Sequence, residues 1–416
     1  MISPAVHSDP AADVATLDLE DLGLDRGGHL LLSRALGALT PGDRLSVSGR
    51  SPELGVHLRA WCRSQGHHVE WPGDDGAGGG EPPTTVATVV RGRVVDQRWT
   101  GAERAGGSAP EAVAQRPPAT WGVAARGALV EAGSPAFPFP LDDKSLVWTD
   151  DAPRFYRQAA AAQWDPATAV PWDAPFELPV EVEAAVVQVM TYLVENEHAA
   201  LAVPARFLGR IHPHFREVVG VLAVQVADEA RHVEVFSRRA SRRGGDVGAS
   251  GAGGQASLLT LLEEPDFALA HFLLSVLGEG TFLALLSFIE RYAPDPVTAA
   301  VARLALGDEA RHVAFGMAHL GSVVERDPAQ RVRLAAAIQR RHDVLSTTAG
   351  LNADVIDALM VLAAGALTPS AVAAGFARVQ ALEAEMADGR RRRLVRLGFS
   401  RAEAASLAAL HTRNFM

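Results

Sequence analysis

The sequence predicts a mostly α protein: an antiparallel four-helix bundle with extra C-terminal helices, preceded by a small α+β domain. Three observations carry this. From about Phe155 to Met416 apolar residues recur at helical spacing. A pentapeptide, Asp-Glu-Ala-Arg-His, occurs at 228–232 and again at 308–312 inside that region. Before residue 95, short apolar runs alternate with turn-forming stretches.

The periodic region resolves into helices at about 180–208, 214–242, 266–291, 296–322 and 328–348, with shorter ones to the end. Gly244–Gly254 interrupts it as a flexible connection, and Pro294-Asp295-Pro296 marks a tight turn. Four long helices with short links inside each pair fit an antiparallel bundle. Upstream, Gly73–Pro83 reads as a loop, Thr85–Val90 as a short strand, and 100–150 as Gly- and Pro-rich connection. The expected organisation is an α+β domain at 14–95, a linker at 96–154, the bundle at 155–348 and a helical extension at 349–416.

The 416 residues are 48% hydrophobic and 21% charged, enough apolar material for a sizeable core. A formal charge of −10 argues against nucleic acid as a partner, since that needs a basic surface to displace counterions. The single cysteine, Cys62, excludes an internal disulfide framework, a Cys-rich zinc site and a protein-bound iron–sulfur cluster. Met1–Asp21 has no basic segment followed by an apolar one, so no secretory signal is expected. Phe267–Ile289 is long and apolar but contains His271 and Glu279, which favours a buried core helix over a membrane span. The expectation is a cytoplasmic protein without membrane or nucleic-acid partners.

Each pentapeptide contains Glu-x-x-His, and residues three apart project from one helix face, where a carboxylate and an imidazole can share a metal ion. One such motif is weak evidence, being more often a solvated face or an ordinary i,i+3 pair. Two identical ones, Glu229/His232 and Glu309/His312, describe half of a dinuclear site. The other half needs a carboxylate from each of two further helices. Glu279 lies thirty residues before Glu309 on the apolar stripe Phe272, Val276, Leu283, Leu286. Unpartnered there, it would be costly. Glu195 and Glu197 lie at the matching distance before Glu229, and the two remain alternatives. Comparison of the halves favours Glu195, whereas helical phase with Met190, Leu193, Leu201 and Pro204 favours Glu197. Asp228 and Asp308 are placed to orient the His of the opposite helix, and Arg231 and Arg311 to neutralise those Asp residues. Four carboxylates and two His suit two irons, with a manganese–iron pair the rival. His198 reads as coincidental, and His212 and His214 as structural or exposed.

At these residues the chain resembles the ferritin-like dimetal-carboxylate proteins, most closely the hydroxylase subunits of bacterial multicomponent monooxygenases. The resemblance covers about 175–325. It implies a ligand set of Glu229, His232, Glu279, Glu309, His312 and Glu195 or Glu197, dioxygen as co-substrate, an external electron donor (reductase or ferredoxin) and a small organic substrate. Tyr192, Gln225, Phe236, Phe282 and Phe315 are candidate pocket residues by helical phase. Ferroxidase, iron-storage or peroxide-scavenging activity is the alternative that the same fold and ligands allow. The C-terminal helices from Asp354 are expected to cover the bundle or form a homodimer surface, with Arg390–Arg393 a solvated face.

Residues 14–93 resemble the TusA-like sulfur carriers. Leu17–Leu24 looks like the first strand and its approach to the active loop, His29–Leu39 the first helix and Pro41–Val47 the second strand. Ser51–Gly66 with Trp61-Cys62 looks like the second helix, and His67–Trp71 and 85–91 like the remaining strands. The sulfur-bearing Cys-Pro-x-Pro of that family is replaced by Asp25-Arg26-Gly27-Gly28. No persulfide forms without the thiol. Cys62 reads as structural, and the domain is expected to serve docking or to be a structural relic.

Overall fold

A computed structural model describes residues 14–72, 84–92, 99–107, 109–346 and 353–410. The loop read over Gly73–Pro83 and most of Met1–Asp21 lie outside them. Two compact units result: 1–104 with 129–134, and 105–128 with 135–416.

In the first unit, β1 (Ala15–Asp18), α1 (Gly28–Gly37), β2 (Arg44–Gly49), α2 (Leu54–Gln65), β3 (His68–Glu70) and β4 (Thr85–Val90) build one sheet of order β1-β2-β4-β3. β1 and β2 are parallel, so the chain must cross over between them, and α1 is that crossover. β4 is antiparallel to both β2 and β3. Alternation puts Leu45, Val47, Ala87 and Val89 inward against Leu32, Leu36, Leu54 and Leu58 of the two helices. Cys62 is buried in this core, which pushes its thiol up to about 12 and leaves it inert.

The stretch expected as a linker is packed instead. β5 (Glu103–Arg104) pairs with β6 (Leu129–Val130) in the first unit. In the second, Leu141 donates its N–H to Arg210 O (2.9 Å) and accepts from His212 N (3.0 Å). After α3 (Lys144–Val147), Val147 and Trp148 sit in the bundle core, followed by α4 (Ala152–Ala161). Gly and Pro content reports the absence of regular structure here, not of packing.

The second unit is a helical bundle. Its four central helices are α5 (Val180–Leu208), α6 (Arg216–Ala240), α8 (Phe267–Tyr292) and α9 (Pro296–Arg326), with α7 (Ala252–Leu262) between the pairs. Glu183 meets Arg239 and Glu197 meets His232, so α5 and α6 run antiparallel. His271 meets His319 across α8 and α9, which also run antiparallel. The turn before α9 is set by Asp295, whose Oδ1 accepts from the N–H of Val297 (3.0 Å) and Thr298 (2.8 Å), with Pro296 at the first helical position. α10 (Gln330–Ser346), α11 (Ala353–Ala364), α12 (Pro369–Arg396) and α13 (Arg401–Ala409) pack outside. α8 is long and apolar enough to cross a membrane, but it is largely enclosed by its neighbours. Its segment Phe272–Gly278 is π-helical, ending directly before Glu279. Such insertions rotate the facing of the downstream residues and recur at functional sites.

Candidate metal centre

The four central helices each bring carboxylate to one buried point. On α6, Asp228, Glu229 and His232 are all inaccessible to solvent, and on α9 Asp308, Glu309 and His312 repeat the pattern. Glu197 from α5 and Glu279 from α8 complete it. Ligand atoms of Glu197, Glu229, His232 and Glu309 lie within 4.8 Å of one another, as do those of Glu229, Glu279, Glu309 and His312. Glu229 and Glu309 belong to both groups, which makes them the shared members of a two-fold arrangement.

Each imidazole turns Nδ1 toward the carboxylates. His232 Nδ1 is 3.0 Å from Glu229, 3.5 Å from Glu197 and 3.6 Å from Glu309. His312 Nδ1 is 3.1 Å from Glu229 and 3.5 Å from Glu309. The outer nitrogens cross over: His232 Nε2 lies 3.1 Å from Asp308 and His312 Nε2 lies 3.1 Å from Asp228. The Asp of one helix therefore fixes the ring of the other. Arg231 bonds Asp228 and reaches Asp308 at 3.3 Å, and Arg311 bonds Asp308.

Glu195 is half-buried and stays outside the cluster, whereas Glu197, two residues on and nearly opposite on the helix, points in. Of the candidate pocket residues, Gln225 donates from Nε2 to Glu279 Oε1 (2.9 Å), and Phe236 lies beside the His232 ring at 6.1 Å. Tyr192 and Phe282 pack on each other at 6.1 Å, and Phe315 against Phe155 and His271. His198 is exposed. His212 and His214 are buried: His212 Nδ1 accepts from His214 N (3.1 Å), and His214 Nε2 from Ala114 N (2.9 Å), so both tie backbone together.

Two contributors went unseen in the sequence. Gln163 donates to Asp228 (2.8 Å) and Trp164 Nε1 to Asp308 (2.7 Å), both from the segment after α4. They lie in no periodic pattern, and no spacing rule relates them to residues 65 and 144 positions downstream.

The electrostatics are unbalanced. Burial, then the nearby Glu229 and Glu309 charges, drive Glu197 and Glu279 well above the usual carboxylate range. Burial opposes the charge of Glu229 too, but His312 and His232 on either side hold it far below that range. Burial disfavours charging of the two His, yet the surrounding acids raise both well above the ordinary value. Even so, Glu197 Oε1, Glu229 Oε1, Glu279 Oε2 and both oxygens of Glu309 are buried with no hydrogen-bond partner among the described residues. Buried polar atoms normally have one. His312 Nδ1 is likewise without a partner, and six O/N ligand groups in two overlapping sets fit two divalent ions. A third acid–His group, Asp25, Glu53 and His57 in the first unit, is largely exposed and shows no such deficit of partners at its carboxylates among the described residues.

No family model matches the chain, and neither does any curated protein. Among solved structures it is similar to an R2-like ligand-binding oxidase variant with an Fe/Fe cofactor, at 19% identity over 63% of this chain and 94% of that one, with a TM-score of 0.43. A variant of the same oxidase with a Mn/Fe cofactor matches at 19% identity over 60% and 93%, with a TM-score of 0.44.

Proposed function

We propose that the chain is a dimetal oxidoreductase in which Glu197, Glu229, His232, Glu279, Glu309 and His312 hold two metal ions, Fe/Fe or Mn/Fe. One observation carries this: carboxylate oxygens from four helices converge, buried and unpartnered, between two imidazoles. Bound there, the metals would supply dioxygen activation for oxidation or oxygenation of a small organic substrate, with electrons from an external donor.

The chain's own residues do the rest. Asp308 and Asp228 accept Nε2–H from His232 and His312, which leaves each Nδ1 free of its proton for a metal. Gln163, Trp164, Arg231 and Arg311 hold those Asp side chains in place. Gln225 holds one oxygen of Glu279 and leaves the other free. Burial of the whole set excludes bulk water, which strengthens every charge interaction inside. The βαβ start of the first unit and the absence of cysteine from Asp25–Gly28 support a TusA-like plan without sulfur transfer.

The test is metal content of protein from iron-supplemented cells, with an absorption spectrum after ferrous loading in air. About two ions per chain are expected, with dinuclear ferric bands absent in a Glu229→Ala/Glu309→Ala variant. Oxidation of ferrous ion with no turnover of any organic substrate by the reduced protein would favour iron handling instead. Protein that binds neither iron nor manganese would overturn the proposal.

A further inference from the structure

The run Arg390–Arg393, expected on a solvated face, divides. Arg391 and Arg392 are outward and share Asp388. Arg390 and Arg393 turn inward and are 6% and 9% exposed. Arg393 Nε donates to Val276 O (2.7 Å) in the π-helical segment of α8. For Arg390 the structure records no hydrogen bond or ion pair among the described residues, and its Nε and Nη1 are buried without a partner. A guanidinium is not normally left this way, because burying an unpaired charge is costly.

Arg390 lines a cleft between α8, α10, α12 and α13 whose void is about 470 Å³ including its mouth. About 40 Å³ of that admits the centre of a water-sized group, where one water needs roughly 10–15 Å³. A second guanidinium, Arg341, lines it too, already donating to the neutral hydroxyls of Ser257 (2.7 Å) and Thr260. His342 also borders the cleft, and among the described residues no acidic side chain does. The remaining wall is aliphatic, including Leu277, Ile338, Leu345 and Leu394. Burial pushes both Arg390 and Arg341 down to about 10, with no carboxylate raising either.

We propose that this cleft is a binding site for a small carboxylate with a short hydrocarbon tail. Nε and Nη2, which share one edge of the guanidinium, match the two oxygens of a carboxylate, and Nη1 is left for a further acceptor. The tail would lie on the leucines, and the limited room excludes a long chain. The site is separate from the metal centre and does not rest on its reading.

Thermal unfolding of the full-length, metal-loaded protein tests this, with butyrate, butan-1-ol and inorganic phosphate as probes. Butyrate is expected to raise Tm saturably, butan-1-ol not to, and phosphate to act at least about tenfold more weakly. Arg390→Met is expected to raise Tm without ligand, since it removes an unpaired buried charge. It should also bind butyrate at least about tenfold more weakly at unchanged metal content. Should that variant fail to fold, the wild-type contrast between butyrate and butan-1-ol still decides. Absence of a saturable butyrate effect, phosphate matching butyrate, or an undiminished butyrate response in Arg390→Met would overturn the proposal.

Discussion

Two buried charged clusters lie in the same bundle and behave oppositely. At one level of the bundle Arg239 is fully buried, donating Nε to Thr298 Oγ1 (2.8 Å), Nη1 to Glu183 (2.7 Å) and Nη2 to Asp295 (2.8 Å). Positive and negative groups close on each other, and the guanidinium is held above its ordinary value by those acids although burial opposes it. Near the middle of the bundle, Glu197, Glu229, Glu279 and Glu309 crowd two imidazoles and leave acceptors bare. Burial and charge are common to both. What separates a structural cluster from a site is whether the hydrogen-bond inventory closes within the chain.

The contrast predicts opposite responses to removal of a partner. The largest effect belongs to the open cluster. Glu229→Ala takes a shared ligand from both groups, so metal content should fall from about two ions per chain to near zero, measured by elemental analysis. Chelation of wild-type protein should lower Tm, because metal binds the folded state. If chelation leaves Tm unchanged, the open cluster needs no ion and the comparison fails. In the closed cluster, Arg239→Met takes the buried cation from Asp295 and leaves Glu183 only Arg243 at 3.9 Å, at a cost of about 3–5 kcal/mol. Urea unfolding measures it, with metal per folded chain unchanged. A loss below about 1 kcal/mol would show that the network contributes little beyond an exposed pair.

A third buried set, His271 and His319, sharpens the comparison through pH. Their Nδ1 atoms are 2.9 Å apart, and His319 Nε2 donates to Leu146 O (2.8 Å). Burial pushes His319 down to about 4 and His271 well below its ordinary value, so both fold neutral. In the unfolded chain they titrate near 6.5. The unfolded state thus binds more protons at acid pH, and this stability is fully present above about 6.5 and is lost as pH falls toward 4. At about 1.4 kcal/mol per unit, the loss between pH 7 and 5 is about 2 kcal/mol for His319. Urea unfolding of wild type and His319→Gln at both pH values checks it, with a flatter profile expected for the variant.

How much of this was legible in the sequence depends on the range over which each signal acts. Helix periods and the doubled Asp-Glu-Ala-Arg-His are local, so the bundle helices and the inward set on α6 and α9 could be read directly. The choice between Glu195 and Glu197 was a matter of helical phase. The inward turn of Glu197 agrees with phase, whereas alignment of the two halves pointed to Glu195 and takes no account of the π-helical stretch that shifts the phase of α8 before Glu279. Gln163 and Trp164 were invisible because loops carry no period. The inward turn of Arg390 and Arg393 was hidden because composition cannot say which face of α12 meets α8. The same blindness made 96–154 read as a linker.

The smallest of these effects bears on why the open cluster is supported from outside. Asp308 accepts from His232 Nε2 across the helix pair and is itself held by Trp164, Arg311 and Arg231. Its charge is opposed by burial and restored by His232, which keeps it below the usual carboxylate range. Asp308→Asn preserves shape but not charge, so the ring keeps at best a neutral amide acceptor in place of the carboxylate that fixes its tautomer. Metal affinity should fall about 10–100-fold, read by competition with a chelator, while metal content at saturation stays near wild type. Trp164→Phe removes one donor to that Asp and should fall at the low end of the same range or below it. If Asp308→Asn instead abolished binding at any metal concentration, Asp308 would belong among the ligands. If it changed nothing, His232 would be oriented by packing against Phe236 and Trp164, and the crossed Asp–His pairs would be structural like the Arg239 cluster.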